Sequence, residues 1–75
     1  MALDHDSPDA LYAQLAALLR DQIERGKLTG RVPSAKTLAQ EHEVSVGTAE
    51  RALAILREEG LIASAMGRGH FVIRR

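Results

Sequence analysis

The sequence contains no cysteine and no tryptophan, and it has one phenylalanine and one tyrosine among 75 residues. Without cysteine, neither a disulfide framework nor a thiolate metal site can stabilise the fold. The core must therefore be aliphatic, and a chain this short buries only about 60% of the surface that its unfolded form exposes. Barrels and doubly wound nucleotide-binding folds need far more residues, which excludes most enzyme architectures.

Long apolar runs and a secretory leader are also absent from the sequence. The apolar stretches are only a few residues long, whereas a membrane-spanning helix needs about 20. The first residues, Met-Ala-Leu-Asp-His-Asp, are acidic and lack the basic-then-apolar order of a signal peptide. We therefore expect a cytoplasmic protein that has no membrane partner.

Neither sign of charge is in excess, because ten basic and ten acidic residues give a formal net charge of zero. The charges are unevenly distributed, however: the formal charge is −2 over residues 1–30, −1 over residues 31–60 and +3 over residues 61–75. The last fifteen residues are thus the part of the chain best suited to an anionic partner.

The first thirty residues contain one helix with start and stop signals. Ser7 can cap free backbone amides, Pro8 is tolerated at the first helical position, and Gly26 supplies a left-handed stop. Leucines recur at helical spacing between these signals. The pattern predicts a flexible acidic tail over residues 1–7 and a helix over about residues 8–25.

Two shorter helices follow, and a serine introduces each of them. Ser34 is the predicted N-cap of a helix over about residues 35–42, and Ser45 is that of a helix over about residues 46–59. The apolar residues of the third helix fall on one face, namely Ala49, Ala52, Leu53 and Leu56. Two helices joined by so short a turn make a helix-turn-helix.

The end of the chain changes from helical spacing to strand spacing. Two short runs of strand-forming residues flank the glycine-rich segment 66–69, which predicts a β-hairpin over about residues 61–74. A short strand is also predicted at Arg31-Val32. The order of elements predicts an α+β fold, a three-helix winged helix-turn-helix over residues 8–75 with the C-terminal hairpin as the wing.

Short motifs follow one another along residues 11–73: Leu11-Tyr12-Ala13-Gln14-Leu15, Gly26-Lys27-Leu28, Val32-Pro33-Ser34, Leu38-Ala39, Val44-Ser45, Ala52-Leu53, Glu59-Gly60-Leu61-Ile62 and Gly67-Arg68-Gly69-His70-Phe71-Val72. In kind and order they resemble the N-terminal winged-helix domain of GntR-type bacterial transcription regulators. The resemblance implies sequence-specific binding of double-stranded DNA, transcriptional repression and a homodimer on paired half-sites. It also implies a larger effector-binding and dimerisation domain that these 75 residues do not include, so we expect no effector pocket in this chain.

The sequence departs from the family pattern where the second and third helices begin. The family has Glu-Arg after Pro-Ser, whereas this chain has Ala35-Lys36. The family's third helix opens Ser-Arg-Thr-Thr-Val-Arg, so Val46 and Glu50 stand where base-reading arginines are expected. Arg51 is then the cation left to read bases near the start of this helix, since Arg57 lies too far along it to reach the groove.

The candidate DNA-binding residues come from all three parts of the winged helix. The third helix should enter the major groove, which is roughly 12 Å wide, and the glycines that flank Arg68 allow the wing to approach the DNA backbone closely. The candidates are Ser34 and Lys36 on the second helix, Ser45, Val46, Gly47, Thr48, Glu50 and Arg51 on the third, and Gly67, Arg68, Gly69 and His70 on the wing.

Each of these features also has a simpler interpretation. The exposed face of the third helix can be a solvated helix face, and the glycine-rich tip can be an ordinary turn with a solvated arginine. Glu50 places a negative charge on the DNA-facing surface unless it accepts a hydrogen bond from a cytosine amino group or pairs with an arginine. The alternative function is therefore a protein–protein interaction module with weak or lost DNA binding.

Catalytic and metal-binding patterns are absent from the sequence. Its three histidines are scattered and have neither cysteines nor paired carboxylates at ligand spacing. No Ser-His-Asp or Cys-His arrangement occurs, and no helix follows the wing glycines as it would in a phosphate-binding loop. We therefore expect a protein that is not an enzyme and that needs no cofactor.

Overall fold

The computed structural model describes residues 3, 5, 10–65 and 69–73. These residues form three helices and a small sheet, in the order α1 (Leu11–Glu24), β1 (Arg31–Val32), α2 (Ala35–His42), α3 (Val46–Glu58), β2 (Ile62–Ala65) and β3 (Gly69–Val72). The predicted α+β architecture is confirmed, and β1 is the short strand expected at Arg31-Val32. In the described part of the chain, no helix is long and apolar enough to cross a membrane.

Helix α1 begins later than the sequence predicts. Its N-cap is Ala10, whose backbone is extended with φ −61° and ψ 139°, so helical geometry starts at Leu11 and not at residue 8. Alanine has no side-chain oxygen that could cap the first turn. The start predicted from Ser7-Pro8 is therefore wrong, because the extended backbone of Ala10 lies after it. Ser7 and Pro8 themselves lie outside the described residues, as does most of the predicted tail.

A left-handed glycine closes α1, as predicted. Gly26 has φ 71°, and its N–H donates to the carbonyl of Ile23 at 3.1 Å, while the N–H of Lys27 donates to the carbonyl of Gln22 at 2.8 Å. This pair of bonds is the Schellman arrangement, which satisfies carbonyl groups that would otherwise be left without partners at the helix end.

The end of α3 is closed in the same way and leads directly into the sheet. The N–H of Gly60 donates to the carbonyl of Arg57 at 3.0 Å, and the N–H of Leu61 donates to the carbonyl of Leu56 at 3.1 Å. The carbonyl of Leu61 in turn accepts a hydrogen bond from the N–H of Ile73 at 2.9 Å. Leu61 is therefore bonded both to the last turn of α3 and to the chain just beyond β3.

The turn between α2 and α3 is short because one residue reverses the chain. Glu43 adopts a left-handed backbone with φ 56°, and the N–H of Val44 donates to the carbonyl of Ala39 at 3.1 Å. Ser45 then caps α3. The predicted tight connection of a helix-turn-helix is confirmed.

The three strands form one antiparallel sheet in the order β1-β3-β2. Strands β2 and β3 make the predicted hairpin, with Ala63 opposite Phe71 and Ser64 opposite His70. On its other side β3 pairs with β1, which places Val32 opposite His70 as well. The tip of the hairpin, including the predicted contacts Gly67 and Arg68, lies outside the described residues.

The core is aliphatic and has α3 at its centre. Both α1 and α2 pack against α3, and β2 packs against it from the sheet side. The predicted inner face of α3 is confirmed, because Ala49, Ala52, Leu53 and Leu56 are each at most 3% exposed. The largest fully buried side chains are Leu15, Leu19, Leu38, Leu56 and Ile62. Among the described residues, no polar side chain is buried in this core.

Candidate nucleic-acid interface

The start of α3 is fixed by its capping serine. The hydroxyl of Ser45 accepts a hydrogen bond from the N–H of Thr48 at 3.0 Å and donates one to the Thr48 hydroxyl at 2.9 Å. This is the predicted N-cap, and it satisfies one of the backbone donors that a helix leaves free at its beginning. The first turn of α3 is thereby held in helical form even though it projects into solvent.

The exposed face of α3 lies opposite its buried face. Val46, Gly47, Glu50 and Arg51 are exposed and Thr48 is half-buried, and Val46 is 45% exposed. A side-chain carbon added at Gly47 would have nothing nearer than the Ser45 hydroxyl at 3.9 Å. Glycine inside a helix lowers stability by about 1 kcal/mol relative to alanine. Packing within the described chain gives no reason for a glycine at this position.

The second helix presents its capping residues at the surface in a similar way. The hydroxyl of Ser34 accepts a hydrogen bond from the N–H of Thr37 at 3.2 Å and donates one to the Thr37 hydroxyl at 3.0 Å. Both Ser34 and Lys36 are exposed. The predicted N-cap of α2 is confirmed, and the start of this helix is open to a ligand on the solvent side.

A cleft of about 380 Å³ separates the start of α2, the exposed face of α3 and the base of the wing. Four of the predicted site residues meet there: Ser34, Glu50, Gly69 and His70. His70 is half-buried, and the exposed Gly69 has φ 85°. The predicted wing contacts Gly67 and Arg68 cannot be placed relative to this cleft because they lie outside the described residues.

Two cations beside this cleft were missed in the sequence-based set of contacts. The Nη1 atom of Arg57 lies 3.4 Å from Nε2 of His70, so Arg57 reaches the base of the wing. The guanidinium of Arg31 lies 3.9 Å from the position that a side-chain carbon at Gly69 would occupy. Spacing could have indicated Arg57, which follows Glu50 by two helical turns and so shares its face, whereas Arg31 comes close only through strand pairing.

The remaining predicted cation, Arg51, contacts a different element. Its guanidinium carbon lies over the ring of Tyr12 on α1, 4.1 Å from the ring centroid. Arg51 is exposed and Tyr12 is half-buried. The structure therefore places Arg51 at the junction of α3 and α1, and Arg51 is not among the residues that line the cleft.

The ion pairs found in the described ranges both involve α1. Arg20 donates two hydrogen bonds to the carboxylate of Glu59, at 2.8 and 2.6 Å, and Arg25 pairs with Asp21 at 2.9 Å. The contact with Arg20 lowers the pKa of Glu59 below its usual value, and the same hydrogen bond to Glu59 raises the pKa of Arg20.

The exposed charges of the interface, in contrast, have no ion-pair partner within 4.0 Å among the described residues. This holds for the cations Arg31, Lys36, Arg51 and Arg57 and for the carboxylate of Glu50. The arginine partner considered for Glu50 is therefore not observed within these ranges. In the same part of the chain, no three His, Asp or Glu side chains are grouped so as to hold a metal ion.

The sequence profile of the family described as "Bacterial regulatory proteins, gntR family" matches residues 11–72, which is most of the chain and contains α1, both helices of the helix-turn-helix and the wing. The chain belongs to the GntR family. The resemblance drawn from the motifs is confirmed, and the two departures from the family pattern, Val46 and Glu50, are exposed on α3.

The curated relatives that the chain matches are considerably longer than the chain. An uncharacterized HTH-type transcriptional regulator, RB1450 of Rhizobium meliloti (strain 1021), is 41% identical over 68 residues, which cover 88% of this chain and 28% of that protein. The HTH-type transcriptional repressor NagR of Bacillus subtilis (strain 168) is 35% identical over 74 residues, covering 96% of this chain and 30% of NagR. The chain spans less than a third of the length of either relative.

Solved structures confirm the winged-helix fold. YtrA from Sulfolobus acidocaldarius, a GntR-family transcription factor, matches with a TM-score of 0.88 and 28% identity, over 97% of this chain and 79% of that one. AraR(DBD) in complex with operator ORX1 matches with a TM-score of 0.80 and 28% identity, over 97% of this chain and 99% of that one.

Proposed function

We propose that this chain binds double-stranded DNA through α3 and the wing and that it serves as the DNA-binding domain of a transcriptional repressor. The observation that carries the proposal is the match to AraR(DBD), which was solved in complex with its operator and of which this chain covers 99%. Nearly every part of that domain thus has a counterpart in the chain. The exposed first turn of α3 is the element suited to reading bases.

Helix α3 has the dimensions that a major groove accepts. An α-helix with its side chains is about 10–12 Å across, and the groove is roughly 12 Å wide. Val46 offers an apolar contact to a thymine methyl group, and Arg51 offers paired donors to a guanine. Gly47 allows the backbone to come close to the base edges, which gives a reason for a glycine that packing in the described chain does not require.

Two further side chains of α3 complete the proposed reading surface. The Thr48 hydroxyl can donate to a phosphate or its methyl group can touch a thymine. Glu50 can accept a hydrogen bond from the amino group of a cytosine. Because no described cation neutralises Glu50, we expect it to oppose binding wherever no cytosine amino group meets it. With Val46 and Glu50 in place of the family arginines, we expect the chain to bind DNA more weakly but to discriminate more strongly between DNA sequences.

Phosphates should be held on both sides of α3. Ser34 and Lys36 present the start of α2, where free backbone amides and the helix dipole favour an anion. From the wing side, we expect His70 and Arg68 to hold the flanking backbone, and Arg31 and Arg57, which have no ion-pair partner among the described residues, add charge at the wing base. These phosphate contacts position the domain, whereas α3 reads the sequence.

The proposal extends to assembly and location. One domain with so few contacts binds weakly, so we propose a homodimer on paired half-sites, which places two copies of α3 about one DNA turn apart. NagR is a repressor by name and shares 35% identity with this chain, which supports repression as the outcome. Such a regulator would act on the chromosome in the cytoplasm.

The test is selection of bound DNA from a random pool at low salt, followed by affinity measurements on the recovered site at several salt concentrations. A repeated, two-fold symmetric sequence is expected. The logarithm of affinity should fall linearly with the logarithm of salt, with a slope of about −0.9 for each phosphate contact. Lys36→Ala should reduce this slope by about 0.9. Lys27→Ala is the matched control, because Lys27 is exposed beyond α1.

The second candidate function is a protein–protein interaction module, and the exposed carboxylate of Glu50, which has no ion-pair partner in the part of the chain that the structure describes, favours it. A net charge of zero also gives the chain no overall attraction to DNA. If the selection enriches no sequence and the chain is not retained on DNA at low salt, this second function replaces the first. Binding that does not respond to salt would contradict the phosphate contacts alone.

A further inference from the structure

The contact between Tyr12 and Arg51 joins α1 to the exposed face of α3. Arg51 is the only Lys or Arg in the first two turns of α3, and its guanidinium lies over the half-buried Tyr12 ring at 4.1 Å from the centroid. Tyr12 carries none of the DNA contacts considered above. A cation over an aromatic face is held by the negative charge of that face.

We propose that Tyr12 is a positioning residue, which holds Arg51 with its N–H groups directed at the major groove so that it reads a guanine. The proposal rests on the function proposed above. It assigns to α1 a part in sequence recognition, although α1 is a packing helix in every other respect. The expected target is one G·C pair in each half-site.

Among the described residues, no ion-pair partner is found that could orient Arg51 in place of Tyr12. No carboxylate lies within 4.0 Å of it in the described ranges. Its neighbours one helical turn away on α3 are uncharged: Gly47, Thr48, Ala54 and Ile55. The ring of Tyr12, fixed on a packed helix, is therefore a contact that limits where the guanidinium can lie.

The chemistry of the two groups explains why the stacked arginine suits guanine. A ring against one side of the guanidinium leaves the N–H donors at its edge free, and two parallel donors match the O6 and N7 acceptors of guanine. A long side chain that is already restrained also loses less conformational freedom when it binds. Lysine has neither the planar stack nor the paired donors.

The test compares the chain with Tyr12→Phe, Tyr12→Leu, Arg51→Ala and the double variant Tyr12→Leu/Arg51→Ala. Affinities are measured for the selected site and for versions in which each G·C pair is replaced by A·T. We expect Tyr12→Leu to weaken binding to the selected site about two- to fivefold. Its effect should disappear on the DNA that lacks the guanine read by Arg51. Tyr12→Phe keeps the ring and should stay within about twofold of the unmodified chain.

The double variant separates positioning from a general effect on the fold. If Tyr12 acts through Arg51, Tyr12→Leu causes no further loss once Arg51 is alanine, because the two effects are coupled. Circular-dichroism melts establish that all variants are folded at the assay temperature. In the free chain, nuclear magnetic resonance should show a ring-current shift on the Arg51 side-chain protons that Tyr12→Phe retains and Tyr12→Leu removes.

Failure of the positioning role of Tyr12 and failure of the proposed DNA binding give different results in this experiment. The inference is overturned if Tyr12→Leu weakens all DNA sequences equally, if it acts undiminished in the Arg51→Ala background, or if it strengthens binding. When the unmodified chain selects a site and Arg51→Ala lowers its guanine preference but Tyr12→Leu does not, the positioning role fails and the proposed function stands. When the unmodified chain shows no sequence preference, the proposed function fails, and the positioning role fails with it.

Discussion

On one face of α3, the side chains of Ala49, Ala52 and Leu53 are at most 3% exposed, whereas on the opposite face Val46 is 45% exposed and Arg51 projects into solvent. The buried face holds the domain together, since both other helices pack against it. The exposed face carries charges that have no ion-pair partners among the described residues. The two faces of this helix thus differ in burial and charge, and we expect a substitution on the exposed face to alter the proposed DNA binding and one on the buried face to alter stability.

The largest expected effect comes from the buried face. Leu53→Ala removes a 3%-exposed side chain from the centre of the core and should lower the free energy of unfolding by roughly 2–5 kcal/mol. Small domains have only about 5–15 kcal/mol in total. Urea titration followed by circular dichroism measures the loss. Val46→Ala on the exposed face is the control and should change stability by no more than about 0.5 kcal/mol; equal losses for the two variants would refute the division between faces.

The next effect belongs to the exposed face and should appear mainly in binding. Arg51→Ala should reduce discrimination at particular positions of the selected site by about 1–3 kcal/mol per base, while loss of the contact with Tyr12 should lower the free energy of unfolding by no more than about 1 kcal/mol. Arg68→Ala, at a position that the sequence predicts for the wing tip, should instead weaken all sequences together and flatten the salt dependence, apart from any A·T preference at the flank. Affinities for single-base variants at two salt concentrations distinguish the two. The assigned roles are reversed if only Arg68→Ala alters base preference.

A smaller effect is expected where the two faces meet, at the helix start. Ser45→Ala removes the hydrogen bond from the N–H of Thr48 and should lower the free energy of unfolding by about 1 kcal/mol. It should also weaken specific DNA binding, because the first turn of α3 would no longer be fixed. Ser45→Asp supplies another capping oxygen and should restore stability, while its charge should still weaken binding. Restoration of both by aspartate would argue against close contact with DNA at residue 45.

The smallest effect concerns the ion pair that joins α1 to the end of α3. Arg20 and Glu59 have side chains that are 34% and 38% exposed, so solvent screens them and their coupling should be no more than about 1 kcal/mol. A double-mutant cycle with Arg20→Ala and Glu59→Gln in urea titrations measures it. No change in DNA preference is expected, because the pair lies away from the exposed face of α3.

The coupling between Arg20 and Glu59 should depend on pH in one direction. The hydrogen bonds from Arg20 hold the pKa of Glu59 below its ordinary value of 4.5. The stabilisation is therefore complete above that value and is lost as the pH falls through the lower pKa of the folded chain. Arginine stays protonated throughout this range and adds no pH dependence. A coupling that grew on acidification would contradict the observed geometry.

Signals within a few residues predicted most of the fold. The capping serines gave the starts of α2 and α3, and Gly26 gave the left-handed stop of α1, because each acts on backbone groups at most a turn away. The predicted start of α1 was wrong because Ser7-Pro8 expresses only a local preference for a helix start. The backbone of Ala10 is extended, so the helix begins after it.

The candidate site could be predicted only in part, since two of its contacts join residues that are distant in the sequence. Tyr12 and Arg51 meet only because α1 packs against α3. Arg57 and His70 meet because the hairpin folds back along α3. Helical spacing can put Arg57 on the face of Glu50, but it does not indicate which residue of another element Arg57 or Arg51 contacts. The left-handed backbone of Glu43 also escaped prediction, since that conformation is unusual for a residue other than glycine.

Two backbone hydrogen bonds of Leu61 restrain the connection between α3 and the wing. Its N–H donates to the last turn of α3 and its carbonyl accepts from the chain just beyond β3, so hydrogen bonds on both sides restrain the connection between the two elements that we propose contact DNA. Two elements joined by such a restrained connection should keep a nearly constant separation. We therefore expect the domain to bind more tightly to duplexes whose groove spacing matches that separation than to over- or underwound duplexes. Its affinity should then depend on the torsion of the DNA.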